Sequence, residues 1–530
     1  MQGKKIVVLV IYNNDIYYNE MKKLNEEYLQ CLNKHSEIMK NITILYITYK
    51  NLSDCEYIID ENILYINGCE TYIPGILNKT ISAFEIITNK LNIEYDFMLR
   101  TNASAVINFY ELYDYVNKVE KSDTNYYYIG PFNNLSWFDY KNGIIDNKYH
   151  GTNYCGGAFI LLNNLLVINI IYNKEKLVNN VIDDVSIGQY INSIKNVEMV
   201  CVKDKINLMI DQTKEQGQRL LAYVNNRNKH NRSIDVNNFK NQIHDIINYN
   251  NKYSIVLPIN PNNNIDQCIM NIKLIDKYIY IPDVHIIYII TSNELINSIK
   301  TQISDINICN KIEFINEESI QSKIPEKNWY YQQILKLKIS QYIKTKYYLV
   351  LDIDMYLIKT LKMSDMFYEN KIIYTNEVFP FNNPPGYTNK SWWENSCKLL
   401  DYNVEKLFHH HDLMGVTPQL LVTDIVCNLI ELLKNKFGVH DWENELVNCG
   451  FTEFSLYWIY VIQTSQKDIY TIYGDPLLDV DEENSVLHPQ NNEVIIKVIQ
   501  NLLNNKKYHF LLIQGWLKID LNIYSHLLPL

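Results

Sequence analysis

Asp352 and Asp354, in the stretch YYLVLDIDMYLIKT at 347–360, are the residues whose type and spacing say most about chemistry. Two carboxylates two positions apart on an extended chain project to one side, where both can bind one hard divalent cation. The preceding YYLVL is a continuous apolar run of the kind that a strand without a wet face carries. It predicts a strand over 347–351 that delivers the pair to the carboxyl edge of a sheet, where ligands of α/β proteins collect. All-oxygen ligation points to magnesium or manganese. Such an ion neutralises the charge that grows on a departing diphosphate. The competing reading is structural: strand-end carboxylates also accept backbone hydrogen bonds in turns.

The element that must position the pair is NWYYQQILKLKISQYIKTK, 328–346, in which Ile334, Leu337, Ile339, Tyr342 and Ile343 recur at roughly helical intervals. Gln332 and Lys336 are four apart and so share a face, together with Gln333 either a solvated polar stripe or part of a site. Trp329 and Tyr330 are core candidates that could also stack on a base or sugar. Downstream, His409, His410 and His411 offer a third metal ligand, with His411 favoured. On a strand His409 and His411 share a face. A carboxylate within hydrogen-bond reach of a hydroxyl can act as its general base. In this half Glu453 of TEFSLYW is the candidate, with Asp412 behind it.

The first half carries a different set. In YDFMLRTNASAV, 95–106, an apolar strand runs into Arg100, Thr101 and Asn102, and a helix follows. A guanidinium at that position could bind a phosphate bidentately as a fixed cation. NYCGGAFILL at 153–162 places Gly156 and Gly157 where a sugar could approach the backbone or where a strand bends tightly. In VIDDVSIGQYI, 181–191, Asp184 is the candidate base with Asp183 as its neighbour, since a like-charged pair raises one pKa. Either aspartate also reads as a helix N-cap.

Two resemblances follow from these motifs. WYYQQILKL, YLVLDIDMYL, HHHDLMGVTPQLL at 409–421 and TEFSLYWIYV at 452–461 are similar, in order and spacing, to a sparsely characterised glycosyltransferase-like family of the GT-A type. The likeness covers about 251–520. It implies Asp352 and Asp354 at the metal, Lys336 near the diphosphate, and Gln332 and Gln333 near the nucleotide. The Gly-Gly strand and the IDDVSIG segment resemble the fringe and beta-3-galactosyltransferase group over about 1–249. The Asp-rich metal motif of that group is replaced here by Arg100-Thr101-Asn102, which puts metal binding in this half in doubt. Together the resemblances imply two tandem GT-A-like, Rossmann-type α/β domains, 1–249 and 250–530, each a mixed sheet flanked by helices. The implied activity is bifunctional transfer of sugars from nucleoside-diphosphate donors, UDP-sugars in expectation, to hydroxyls of a growing glycan or glycoprotein.

Two other classes compete. A haloacid-dehalogenase-like phosphatase also places its nucleophile at the first Asp of a strand-end Asp-x-Asp, and YGDPLLDVDE at 473–482 resembles its later acidic motif. Tyr356, where that family has a small residue, argues against it. A glycan-binding module, with one or both domains inactive, is the other, favoured in the first half by Arg100-Thr101-Asn102.

Composition sets the outer bounds. A chain of 530 residues exceeds what one hydrophobic core usually serves. With 47% hydrophobic and 21% charged residues it is not a disordered chain. A net charge of −11 without basic clusters argues against nucleic-acid binding. The 10 cysteines are scattered with no Cys-x-x-Cys pair, which suggests neither a zinc site nor a disulfide scaffold and fits a reducing compartment. MQGKKIVVLVIYNND reads as a first core strand rather than a signal peptide, and no run reaches the roughly 18 to 20 apolar residues of a membrane span. The expected location is therefore cytoplasmic. Heavy use of Asn, Ile, Lys and Tyr, with 43 Tyr against 16 Phe, resembles proteins of giant DNA viruses, for which the host cytoplasm or viral factory is the equivalent.

Overall fold

Each half opens on an apolar run that becomes the centre of a sheet, KKIVVLVIY at the start and YSIVLPIN after residue 250. The computed structural model describes the chain except residues 1–2, 33–35, 54, 121–123, 208–219, 225–231, 261–264, 321–328, 378–387, 408–412, 416, 479–484, 487–490, 506, 518 and 529–530. Two units are separated by their internal contacts, Met1–Ile247 and Asn248–Leu530. The helix expected after residue 218 is Arg232–Asn251. No helix among the described residues is long and apolar enough to cross a membrane.

In the first unit eight strands form one sheet: β1 Ile6–Ile11, β2 Ile42–Lys50, β3 Tyr57–Asp60, β4 Ile63–Asn67, β5 Phe97–Asn102, β6 Tyr126–Gly130, β7 Phe159–Asn163 and β8 Val197–Cys201. Their spatial order is β8-β6-β7-β5-β1-β2-β4-β3. The strands β5, β1, β2 and β4 are parallel, and β7 runs antiparallel to β5. Alternation along β1 explains why Ile6–Ile11, IVVLVI, has no polar residue. Ile6, Val8 and Val10 enter one apolar cluster, Val7 and Leu9 another, so both faces of the strand are covered.

The main sheet of the second unit has five strands: β9 Tyr253–Pro258, β10 Val284–Thr291, β11 Ile312–Asn316, β12 Tyr347–Val350 and β13 Gln419–Val422, in the order β11-β10-β9-β12-β13. All are parallel except β13, which is antiparallel to β12. Leaving aside edge additions, the two units share one topology. Parallel strands lie as third, second, first and fourth, and an antiparallel strand flanks the fourth. Helices cross between successive parallel strands, as βαβ connections require, except from β2 to β4 in the first unit, where the strand β3 stands in the connection.

A second, small sheet in this unit bears on the site. Met355–Leu357 pairs antiparallel with Phe510–Ile513, which pairs in parallel with Ser485–Val486. Tyr356, Leu511, Ile513 and Ile499 are buried together in a cluster of their own. The last strand of the chain is thereby fixed beside the residues that follow β12.

Candidate functional site

The strand before the aspartates stops one residue short of the predicted end, at Val350, and the pair lies beyond it, Asp354 within a turn. Asp352 to Met355 form a turn closed by the Met355 N–H donating to the Asp352 carbonyl at 3.1 Å. The period-two argument for convergence therefore does not apply; the turn brings the carboxylates near one another. Three groups fix this turn. The Asn271 side-chain amide donates to the carbonyls of Ile353 (2.9 Å) and Met355 (2.7 Å). The Thr417 hydroxyl donates to Asp352 Oδ2 at 2.8 Å. The Gly515 N–H, just past the last strand, donates to Asp354 Oδ2 at 2.9 Å.

Behind the turn sits Lys336, 2% exposed, on the helix Trp329–Lys338. Its Nζ lies 2.7 Å from Asp352 Oδ1 and 2.8 Å from Glu453 Oε1. Burial opposes its charge, but the Asp352 and Glu453 carboxylates outweigh that and raise its pKa. Glu453, also 2% exposed, stands in the first turn of the helix Glu453–Gln463, capped by a reciprocal Thr452–Ser455 pair. Burial raises the Glu453 pKa and Lys336 opposes the rise. Gln333, with its amide nitrogen turned towards Glu453, donates to that carboxylate and accepts from the Trp329 indole N–H at 3.3 Å.

The expected helix over 328–346 is therefore shorter, ending in a 3-10 turn at Ile339–Gln341, and its polar residues are not a solvated stripe. Gln333, three residues from Lys336, joins it at Glu453, whereas Gln332 donates to the Pro258 carbonyl at 3.3 Å. Trp329 stacks on Trp392 (centroids 5.2 Å) and Tyr330 on Phe451 (6.1 Å). Glu453, expected as a base, is buried with its carboxylate against Lys336 and Gln333. Asp352 and Asp354 keep part of their surface open. The Asp354 carboxyl is pushed up to about 6, by burial first and then by Asp352. His409, His410, His411 and Asp412 lie outside the described residues. Among the described residues no three His, Cys, Asp or Glu side chains converge as a metal-binding group.

In the first unit Arg100, Thr101 and Asn102 end β5. Arg100 is 3% exposed. Its Nη2 donates to Asp183 Oδ2 at 2.6 Å and its Nη1 to Asn102 Oδ1 at 3.1 Å. Both terminal nitrogens of the guanidinium thus have protein partners, while its Nε has none. The Thr101 hydroxyl donates to the Ala158 carbonyl at 2.7 Å. Gly156 and Gly157 form the turn between the strand Asn153–Cys155 and β7, with the Phe159 N–H donating to the Gly156 carbonyl. At Gly157 a Cβ would stand 2.6 Å from Arg100 Nη1, so the absent side chain makes room for the guanidinium, while at Gly156 a Cβ would meet nothing within 4 Å.

Asp183 and Asp184 occupy the first turn of the helix Asp183–Ser193; the N-cap residue is Ile182, so neither aspartate caps it. Asp184 accepts from the Gly157 N–H (3.0 Å) and the Val185 N–H (2.8 Å) and keeps some open surface. Its carboxyl is pushed up to about 7, by burial and then by Asp183, against the pull of Arg100. Sequence reasoning missed Lys79, buried on the helix Gly75–Glu85, with Nζ 2.6 Å from Glu70 Oε1. Burial lowers its pKa, with Arg100 adding to the fall and Glu70 and Asp183 opposing it. It also missed Asn271, Thr417 and Gly515. The one local signal was a glycine directly after an apolar C-terminal strand, FLLIQG.

No curated protein matches the chain. Among solved structures, mouse xyloside xylosyltransferase 1 in its apo form is similar at TM-score 0.29 and 10% identity, over 45% of this chain and 88% of that one. Galactosyltransferase LgtC in complex with donor and acceptor sugar analogs gives TM-score 0.25 and 12% identity, over 38% of this chain and 68% of that one. An active-site mutant of LgtC gives TM-score 0.25 and 13% identity, over 38% and 71%. Residues 250–528, more than half of the chain, match a family of unknown function, DUF6492, and the chain belongs to that family.

Proposed function

We propose that the C-terminal unit transfers a glycosyl group from a nucleoside-diphosphate donor to a hydroxyl of a glycan acceptor, with manganese or magnesium at Asp352 and Asp354. The observation that supports this reading most is a shortage of positive charge at an open strand end. Among the described residues one ammonium, Lys336, faces three carboxylates, Asp352, Asp354 and Glu453, and the two that keep open surface are the aspartates of the turn. Hard oxygen donors lacking positive charge fit a divalent ion, and the diphosphate and water would complete its coordination. Bound there, the ion would neutralise the leaving diphosphate.

The chain's own residues have separate tasks in this reading. Asn271 and Gly515 hold the turn in place, Thr417 and Lys336 hold the Asp352 carboxylate from two sides, and Glu453 anchors Lys336 from behind. Such fixed positioning matters because catalysis by charge stabilisation depends on groups that need not reorganise. The donor is taken as a UDP-sugar and the acceptor as a glycan or glycoprotein hydroxyl.

The test is a panel of nucleotide-sugars offered to the full chain with and without manganese, read by donor hydrolysis and by transfer to mixed saccharide acceptors. Metal-dependent donor turnover that is lost in the Asp352→Asn, Asp354→Asn double variant is expected. Release of phosphate from simple phosphomonoesters, with no donor turnover, would point instead to the phosphatase class.

A further inference from the structure

The first unit differs from the second in one respect that the shared topology makes visible. In each, a buried lysine lies on the helix leading to the fourth parallel strand, Lys79 or Lys336. In each, a buried first-turn carboxylate follows the antiparallel strand, Asp183 or Glu453, and carries a cation. The first unit adds a second cation, Arg100, on the strand itself. Two cations, Lys79 and Arg100, then face three carboxylates, Glu70, Asp183 and Asp184, where the other unit has one cation for three. With two cations for three carboxylates, and both arms of the guanidinium already hydrogen-bonded, this site is less short of positive charge than the other, which weakens the case for a metal ion here and favours an uncharged ligand.

The surface beside that site is aromatic. Phe132–Asn134 and Asn153–Cys155 pair as an antiparallel ribbon. Leu135, Ile144, Tyr149 and Tyr154 pin the intervening loop on Val181 and Val185, which bracket Asp183 and Asp184. Gly143, at φ 78°, lets the loop pass the Asn180 carbonyl, which a Cβ would meet at 2.1 Å. From this pinned loop Trp137 (44% exposed), Phe138 (54%) and Tyr140 (77%) project to solvent. The Trp137 ring lies 6.4 Å from that of Tyr154, two residues before the open position at Gly156. Large rings held open on a rigid loop mark a binding surface. Ring faces beside hydrogen-bonding groups, here the Asp184 carboxyl and the Asn102 amide, suit a ligand with both C–H faces and hydroxyls.

We propose that the first unit binds an uncharged saccharide, without a divalent cation, between the aromatic loop 135–152 and the turn at Gly156. This does not depend on the chemistry of the C-terminal unit. The test is binding of the full chain to an immobilised panel of neutral oligosaccharides in EDTA. Trp137→Ala removes a half-exposed ring that packs beside Tyr154, and Gly156→Leu adds a side chain where a Cβ would meet nothing within 4 Å; an unchanged thermal unfolding midpoint in each variant separates lost binding from a disturbed loop. Binding should persist in EDTA and in the Asp352→Asn, Asp354→Asn variant. It should fall about tenfold or more in Trp137→Ala and in Gly156→Leu. Overturning results are no binding to any member of the panel, loss of binding in EDTA or in the double aspartate variant, or unchanged binding in both Trp137→Ala and Gly156→Leu.

Discussion

The two units lay down the same strand order and put opposite chemistry at the end of the fourth parallel strand. In the first, Arg100 is closed against Asp183 and walled in by Gly157. In the second, Asp352 and Asp354 ride a turn with part of their surface open, and the only cation that faces them among the described ion pairs is Lys336. The lesson is that the fold supplies a place, and one strand residue decides the charge found there. With an arginine the first site has two cations for three carboxylates, whereas the pair of aspartates leaves one cation for three among the described residues.

The comparison breaks most visibly at the aspartates. Asp352→Asn with Asp354→Asn should lower donor turnover by about a thousandfold or more while the thermal unfolding midpoint stays within a few degrees. Retained turnover would make the two strand ends functionally alike. Next comes Lys336→Met, which strands the buried Glu453 carboxylate without its cation. A loss of about 3–5 kcal/mol in urea unfolding is expected, and adding Glu453→Gln should return part of it. An additive loss in the double variant would remove Glu453 as the anchor of Lys336.

How much of this was legible in the sequence depends on the range of the interactions. β12 was readable because five apolar residues in a row have no other use, and the helix before it showed in the spacing of Ile334 and Leu337. The turn after it was hidden, because Met355-Tyr356-Leu357 is apolar and continues the strand pattern while belonging to another sheet. Arg100 reads as a free cation until its partner appears 83 residues later. Gln332 and Lys336 share a helical face, yet Gln333 is the one that reaches Glu453, a choice made by the packing of the helix Glu453–Gln463. Asn271, Thr417 and Gly515 come together only through the assembled sheets.

Two smaller effects sharpen the contrast from the first unit's side. Gly157→Ala would place a methyl against the Arg100 guanidinium, and a destabilisation of about 1–3 kcal/mol is expected by urea unfolding. No change there would mean that the guanidinium relocates freely. The Asp184 carboxyl, raised to about 7 from an ordinary value of 3.8, favours the folded state while protonated. That contribution is present below the unfolded value and is lost as pH rises through about 7. Asp184→Asn should therefore unfold at a higher temperature than the parent at pH 8, with the gap narrowing towards pH 4. A gap that widens on acidification would show a carboxyl whose pKa is lowered.

The most direct measurement is the stoichiometry of manganese bound to the full chain in the presence of a nucleoside diphosphate, followed by electron paramagnetic resonance. The account predicts a single bound manganese, retained in an Asp184→Asn variant and absent from the Asp352→Asn, Asp354→Asn variant. Two bound manganese ions, or one that survives loss of both aspartates, would contradict it.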